Sequence, residues 1–323
     1  MNRFELVRAQ TLPQARELAA EKPGSVLKAG GIDLLDHLKE HLVEPPRVVD
    51  LKTIPGLSQI SVDKDGGLRI GALATLAQVA ANAALQRSHP ALARACGEAA
   101  SPQIRNVATI GGNVLQRPRC WYYRLESYKC FKKGGDTCFA LAGENRYHVI
   151  FGGGPVFATH PSNAAVALVA YGASFVLDGP TGGRAVAASD FFLLPAQDAT
   201  RENALQPGEL LKEIRVPSAA GWKSAYYEVR ERAAFDWPLV SAAIAIKASG
   251  GVVREARVVL GQVAPIPWRS AAAEKALVGR AVGAASAEAA AMAAVEGAQP
   301  MSENGYKVDL AATLVRRTVM TLA

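Results

Sequence analysis

The chain has 323 residues, 50% hydrophobic and 20% charged, with a formal net charge of +7; this is a globular composition with room for two or three domains, and it excludes a disordered chain. Lysine and arginine are scattered and aromatics make up 7%, which leaves no basic, aromatic-lined stripe for nucleic acid. Glu5 sits in an N-terminus that lacks an apolar core segment, and no run reaches the length of a membrane span, so the expected location is the cytoplasm, with periplasmic co-export alongside a signal-bearing partner as the alternative.

In chain order, residues 11–22 read as a helix, with Thr11 as N-cap and Pro13 in the first turn. Ser25-Val26-Leu27 is a short strand that runs into Gly30-Gly31, and Asp33 to His41 then places Leu34, Leu35 and Leu38 at helical spacing. Pro45-Pro46 stops that helix and Arg47 to Leu51 is the next strand. Residues 59–62 and 68–72 form a hairpin around Asp65-Gly66-Gly67, and helices over 75–86 and 90–98 lead to a second double glycine, Gly111-Gly112. The pattern is short and mixed, so the fold class is α+β and not a doubly wound sheet. From Gln116 to Gly154 no period is sustained, and a loop this long inside a compact domain usually carries function. An apolar helix from Ala164 to Ala170 and a strand from Ser174 to Leu177 follow, and a domain boundary is expected near 218–221. The remainder has strands at Tyr226–Val229, Ala242–Lys247 and Val252–Gln262, then helices near 270–278, 286–296 and Leu310–Leu322. The expected division is a domain of residues 1–220 and a second α+β domain of residues 222–323.

The two double glycines carry the first chemical reading. Lys28-Ala29-Gly30-Gly31-Ile32-Asp33-Leu34 and Thr109-Ile110-Gly111-Gly112-Asn113 each bring backbone N–H groups where a Cβ would hold a ligand off. Several such donors aimed one way make an anion site suited to a pyrophosphate. Taken singly each is an ordinary tight turn; together they suggest two loops closing on one extended, phosphate-bearing ligand. Neither spells the G-x-G-x-x-G fingerprint and no P-loop is present, so the site is one built from separated glycine loops.

With Thr159-His160-Pro161-Ser162-Asn163, Arg230 to Ser241, Val263 to Arg269 and Tyr306-Lys307-Val308, these segments resemble, in order and over essentially the whole chain, the FAD-binding subunit of the molybdenum hydroxylases. That family includes xanthine dehydrogenase, carbon monoxide dehydrogenase and the three-subunit aldehyde oxidoreductases. The resemblance implies a two-lobed FAD-binding domain of the vanillyl-alcohol oxidase (PCMH) type followed by a C-terminal flavoprotein domain. It implies FAD as cofactor, a molybdopterin-binding large subunit and a 2Fe–2S small subunit as partners, and delivery of electrons to NAD, ferredoxin, a quinone or oxygen. Carried over by position, Lys28 to Leu34 and Thr109 to Asn113 hold the pyrophosphate and ribityl chain, Asn163 stands where the family usually has Asp, and Leu211 packs on the flavin. A position where some relatives place a cofactor-contacting Lys corresponds to Glu228, which is not assigned as a ligand. Trp237 and Trp268 read as core or interface aromatics. The rival functions are a stand-alone flavin oxidase of the vanillyl-alcohol type and a scaffold without cofactor.

Four cysteines are present, Cys96, Cys120, Cys130 and Cys138, and the last three cluster; in a chain without a signal this favours metal binding over disulfides. Relatives among the aldehyde oxidoreductases insert a loop here that binds a 4Fe–4S cluster through four cysteines. The resemblance assigns Cys120, Cys130 and Cys138 to three of those places and puts Val156 in the fourth, which has no donor. Three outcomes stay open: a 3Fe–4S cluster, or a 4Fe–4S cluster with a ligand such as His160 or water; three idle thiols; or recruitment of Cys96, which otherwise reads as a buried helix residue.

Overall fold

The computed structural model describes residues 1–323 and contains three sheets. The first is three-stranded and parallel, in the order β1 (Glu5–Arg8), β3 (Arg47–Asp50), β2 (Val26–Lys28). The second is five-stranded and antiparallel: β4 (Ile60–Val62), β5 (Leu68–Gly71), β8 (Leu210–Val216), β6 (Ser174–Gly179), β7 (Gly182–Ala187). The third is four-stranded and antiparallel, in the order β12 (Trp268–Arg269), β11 (Val252–Gly261), β10 (Val240–Ser249), β9 (Trp222–Val229). Helices Ala271–Leu277, Ala284–Ala294 and Tyr306–Met320 pack on one face of this last sheet.

Helix Asn163–Tyr171 is the pivot. Every one of its residues is buried, as expected of a helix that is apolar all round. It joins the largest core, where Phe175 and Ile214 of the second sheet meet Tyr226, Ala243 and Val259 of the third. Neighbouring residues of the same third-sheet strands, Ala242, Ile244, Val258 and Leu260, face the other way into the C-terminal core. A sheet covered on both faces explains why β10 reads as a continuous apolar run instead of alternating.

Several expected elements differ in detail. The helix expected over 75–86 is two, Leu76–Ala81 and Ala83–Ser88, because Asn82 leaves helical geometry and its side chain caps the second from Ala84 and Leu85 N–H. β7 was not expected: its residues are small or polar and mostly exposed, as suits an edge strand. The last helix begins at Tyr306, not Leu310. Residues 110–114, where the double glycine predicts a turn, form a short helix capped by the Thr109 hydroxyl.

Leu168→Ala removes a fully buried side chain from the pivot helix and should lower unfolding free energy by about 2–5 kcal/mol. Denaturant unfolding checks this, and a loss below about 1 kcal/mol would show that the core closes around the gap.

Candidate functional site

A cavity of about 690 Å³ lies between the first and second sheets. The first sheet and its helix contribute Val26 through Asp36, the second contributes Ala72, Leu210 and Leu211, and Thr109, Gly111, Gly112, Asn113 and Asn163 close the far side. The structure therefore gathers Lys28, Ala29, Gly30, Gly31, Ile32, Asp33, Leu34, Thr109, Gly111, Gly112, Asn113, Asn163 and Leu211 around one space. Ile110 is the exception: its side chain is fully buried in the core behind the loop.

The two double glycines play different parts. From Ala29 to Leu34, no backbone N–H has an acceptor within the protein. Gly31 takes the left-handed conformation (φ +84°) as N-cap of helix Ile32–Lys39, without a capping side chain, so the first helical N–H groups stay available as well. Consecutive free donors at a helix N-terminus attract anions. At the second glycine pair the donors are spent. Ile110 and Gly111 N–H donate to the carbonyls of Ala74 and Ala72, Asn113 N–H to Thr109 O, and Gly112 N–H to Thr109 Oγ1. Expecting both pairs to offer N–H groups is thus half met. At the second pair it is Gly111 that packing requires, since a Cβ there would lie 2.7 Å from the Ala72 carbonyl oxygen. Gly30 is required likewise, because its Cβ would lie 2.2 Å from the Val107 carbonyl oxygen.

Asp33 lines the cavity, but its carboxylate faces the cysteine loop. It accepts from Arg117 N–H at 2.9 Å and pairs with Arg119 at 3.1 Å and Arg124 at 2.8 Å. Burial alone would raise this carboxyl, yet the two guanidinium groups and the N–H hold it below its ordinary value. Lys28 is similarly committed, to Asp50 at 3.3 Å. Arg117, Arg119, Phe235, Asp236 and Trp237 also line the cavity, and residue patterns did not single them out as site residues. Trp237 is neither core nor enclosed: it is half-exposed, with the Arg119 guanidinium 4.6 Å from its ring. Trp268 stacks on Phe151 at 5.0 Å.

Cys120, Cys130, Cys138 and Val156 converge on a second, small cavity with Tyr122 and Phe139 in its wall. All the cysteines are free thiols, and burial pushes Cys120 up to about 11. No three His, Cys, Asp or Glu side chains are spaced to hold a single metal ion. His160 does not line this cavity; it packs edge-on against Phe192 at 4.8 Å. Cys96 is fully buried in helix Pro90–Glu98 and its thiol is pushed up to about 12. The imidazole beside the cysteines is His148, with Nε2 3.3 Å from Cys120 Sγ. No helix is long and apolar enough to cross a membrane.

Known proteins agree with this architecture. Residues 2–219 match the FAD binding domain in molybdopterin dehydrogenase, and residues 225–322 match the CO dehydrogenase flavoprotein C-terminal domain. The chain is 37% identical to the aldehyde oxidoreductase FAD-binding subunit PaoB of Escherichia coli, over 96% of this chain and 95% of that one. It is 28% identical to the carbon monoxide dehydrogenase medium chain of Hydrogenophaga pseudoflava, over 98% and 96%. A solved structure of carbon monoxide dehydrogenase from that organism superposes with a TM-score of 0.78 at 30% identity, covering 99% of this chain and 97% of that one. The protein is an FAD-binding subunit of an oxidoreductase. It belongs to the molybdenum hydroxylase family, as the medium, flavin-carrying type of subunit found in its aldehyde oxidoreductases and in its carbon monoxide and xanthine dehydrogenases.

Asp33→Asn strips Arg124 of its counter-charge, leaves Arg119 only its pair with Asp36 at 3.3 Å, and should destabilise the chain by about 3 kcal/mol at neutral pH. Because the folded carboxyl is held below its ordinary value, the stabilisation is present above about pH 4 and is lost as pH falls through the lower folded value. Unfolding free energies of wild type and variant should converge in acid, and a gap that is constant with pH would contradict the assignment.

Proposed function

We propose that the cavity between the first two sheets holds FAD, with the pyrophosphate on the free N–H groups of Ala29 to Leu34 and the ribityl chain near Asn113 and Asn163. The run of unpartnered donors facing this cavity carries the reading. Ala29 to Leu34 bind through the backbone, Gly30 and Gly111 hold the walls close together, and Leu211 supplies an apolar flank. Lys28 and Asp33 hold the loop through their ion pairs. Bound there, FAD supplies the two-electron carrier between an iron–sulfur small subunit and an external acceptor, and the protein supplies binding and orientation. The partners in this reading are a molybdopterin-binding large subunit and a 2Fe–2S small subunit, and the similarity to PaoB points to an aldehyde as the substrate of the whole complex.

The parallel and antiparallel sheets flanking the cavity support a two-lobed FAD domain of the vanillyl-alcohol oxidase (PCMH) type, with the domain division at residues 220–222. The C-terminal segment of residues 225–322, which matches a carbon monoxide dehydrogenase flavoprotein domain, favours the subunit role over a stand-alone flavin oxidase. The cysteine loop is read as a three-thiolate iron–sulfur site. Three sulfur donors and apolar Val156 face one space, a donor set that suits a cluster lacking one cysteine. That space is about 20 Å³, room for little more than a water, so accepting a cluster requires the loop to open around it.

Two outcomes are expected. In Gly30→Ala the Cβ collides with the Val107 backbone and the walls must part, so FAD content after purification should fall well below that of Gly112→Ala, whose Cβ meets only Thr109 Oγ1 at 3.0 Å. Equal flavin content by absorbance in the two variants would contradict the site. For the cluster, Val156→Cys should raise iron and sulfide content in anaerobically purified protein and replace a 3Fe–4S EPR signal with a 4Fe–4S one; unchanged iron would reject the fourth position, and no iron in wild type would reject the cluster.

A further inference from the structure

Asn163 begins the pivot helix, and its amide joins the cofactor cavity to a buried carboxylate on the third sheet. Asn163 Nδ2 donates to Glu228 Oε2 at 2.5 Å and to the Tyr226 hydroxyl at 3.1 Å. The Tyr226 hydroxyl spends its own proton on the same Glu228 oxygen, also at 2.5 Å. Asn163 is 5% exposed and the Glu228 side chain 3%. Chemistry therefore settles which way the amide faces: turned over, its carbonyl oxygen would confront a carboxylate oxygen and a hydroxyl with no proton left to give. With Nδ2 held at the back, Oδ1 has no donor within the protein and is left for the cavity that Asn163 lines.

Asn113 has the opposite arrangement. Its Oδ1 accepts from the Ser162 hydroxyl at 2.6 Å and from Ala164 N–H at 3.4 Å, which leaves its Nδ2 as the group free on the cavity side. Neighbouring amides thus present one acceptor and one donor, the pair that a chain of hydroxyl groups needs. Ser162 fixes one of them locally. The other is fixed from the C-terminal domain, across a separation of 65 residues.

We infer that Glu228 is a positioning residue for the cofactor: it locks the Asn163 amide so that a carbonyl oxygen, and not an NH₂ group, faces the ribityl hydroxyls. The inference rests on the FAD reading above. Glu228 does not itself line the cavity. Its effect passes through Asn163, and it makes the C-terminal domain part of the binding site. An Asp at 163 would be incompatible with a carboxylate at 228, since two carboxylates at this distance cannot both stay ionised. Asn163 and Glu228 are therefore a matched pair.

The test is FAD titration of the deflavinated full chain by flavin fluorescence, together with melting of the apoprotein. Glu228→Leu, which removes the anchor, should weaken FAD binding roughly tenfold, as expected for one misdirected buried hydrogen bond. Glu228→Gln keeps an acceptor for Asn163 and Tyr226 but gives up the ion pair with Arg230 at 3.2 Å. It should melt lower than wild type yet bind FAD within about threefold of it, a split that a purely structural role would not produce. Should Glu228→Leu fail to fold, a second pair decides. Asn163→Asp should weaken FAD binding, and Asn163→Asp with Glu228→Gln should restore it, because the Gln amide can donate to the new carboxylate. FAD affinity that is unchanged in Glu228→Leu, or equally poor in Glu228→Gln, or not restored in the double variant, would overturn the inference while leaving the FAD site standing. A wild-type chain that takes up no FAD would overturn the FAD site and this inference with it.

Discussion

The cavity exists because two backbone turns lie against each other with nothing between them. Gly30 approaches the carbonyl of Val107, and Gly111 the carbonyl of Ala72, at distances that admit no Cβ. These contacts bring the parallel sheet close to the antiparallel one and set the width of the space between. They also divide the labour. Thr109 and the turn after β5 consume the N–H groups of the second turn, while the first turn keeps its own free. One wall is thus rigid and saturated with hydrogen bonds, and the other keeps its donors for an anion.

Two further segments are tied to this space from outside the sheets that form it. Asp33 links the first turn to Arg117, Arg119 and Arg124 at the start of the cysteine loop, so that loop and the cavity share one ion-pair cluster. The far end of the same loop is tied to the C-terminal domain. Lys307, almost fully buried, donates to the carbonyls of Tyr147 and Gln262 at 2.9 and 2.8 Å, and Asn304 donates to those of His148 and Val149. These ties fix the end of the loop to the C-terminal domain without a continuous strand.

Much of this was legible in the residues. The double glycines, the apolar helix after Ser162 and the clustered cysteines mark the cavity, the pivot and the second site, and the order of motifs marks the family. What the residues did not show follows from what a one-dimensional pattern omits. Glycine is equally at home where a ligand approaches and where another backbone does, so Gly111 read as a donor loop when it is a packing contact inside a helical turn. Asp33 stands beside the glycines and lines the cavity, and only the fold reveals that its carboxylate's partners lie more than eighty residues downstream. Asn82 broke a helix whose apolar spacing continued through it, since capping by its own side chain outweighed the spacing. Glu228 matches the family's Lys position only loosely and so is not assigned from the residues, and its hydrogen bond to Asn163, 65 residues away, is visible only in the fold.

The central claim is that the two glycine pairs are not equivalent, and amide hydrogen exchange tests it most directly. Exchange rates of residues 29–34 and 110–113 would be compared in the deflavinated chain and after addition of FAD. The structure predicts fast exchange at 29–34 that slows strongly on binding, beside slow exchange at 110–113 that changes little. Protection gained at 110–113 with 29–34 unchanged would contradict the account.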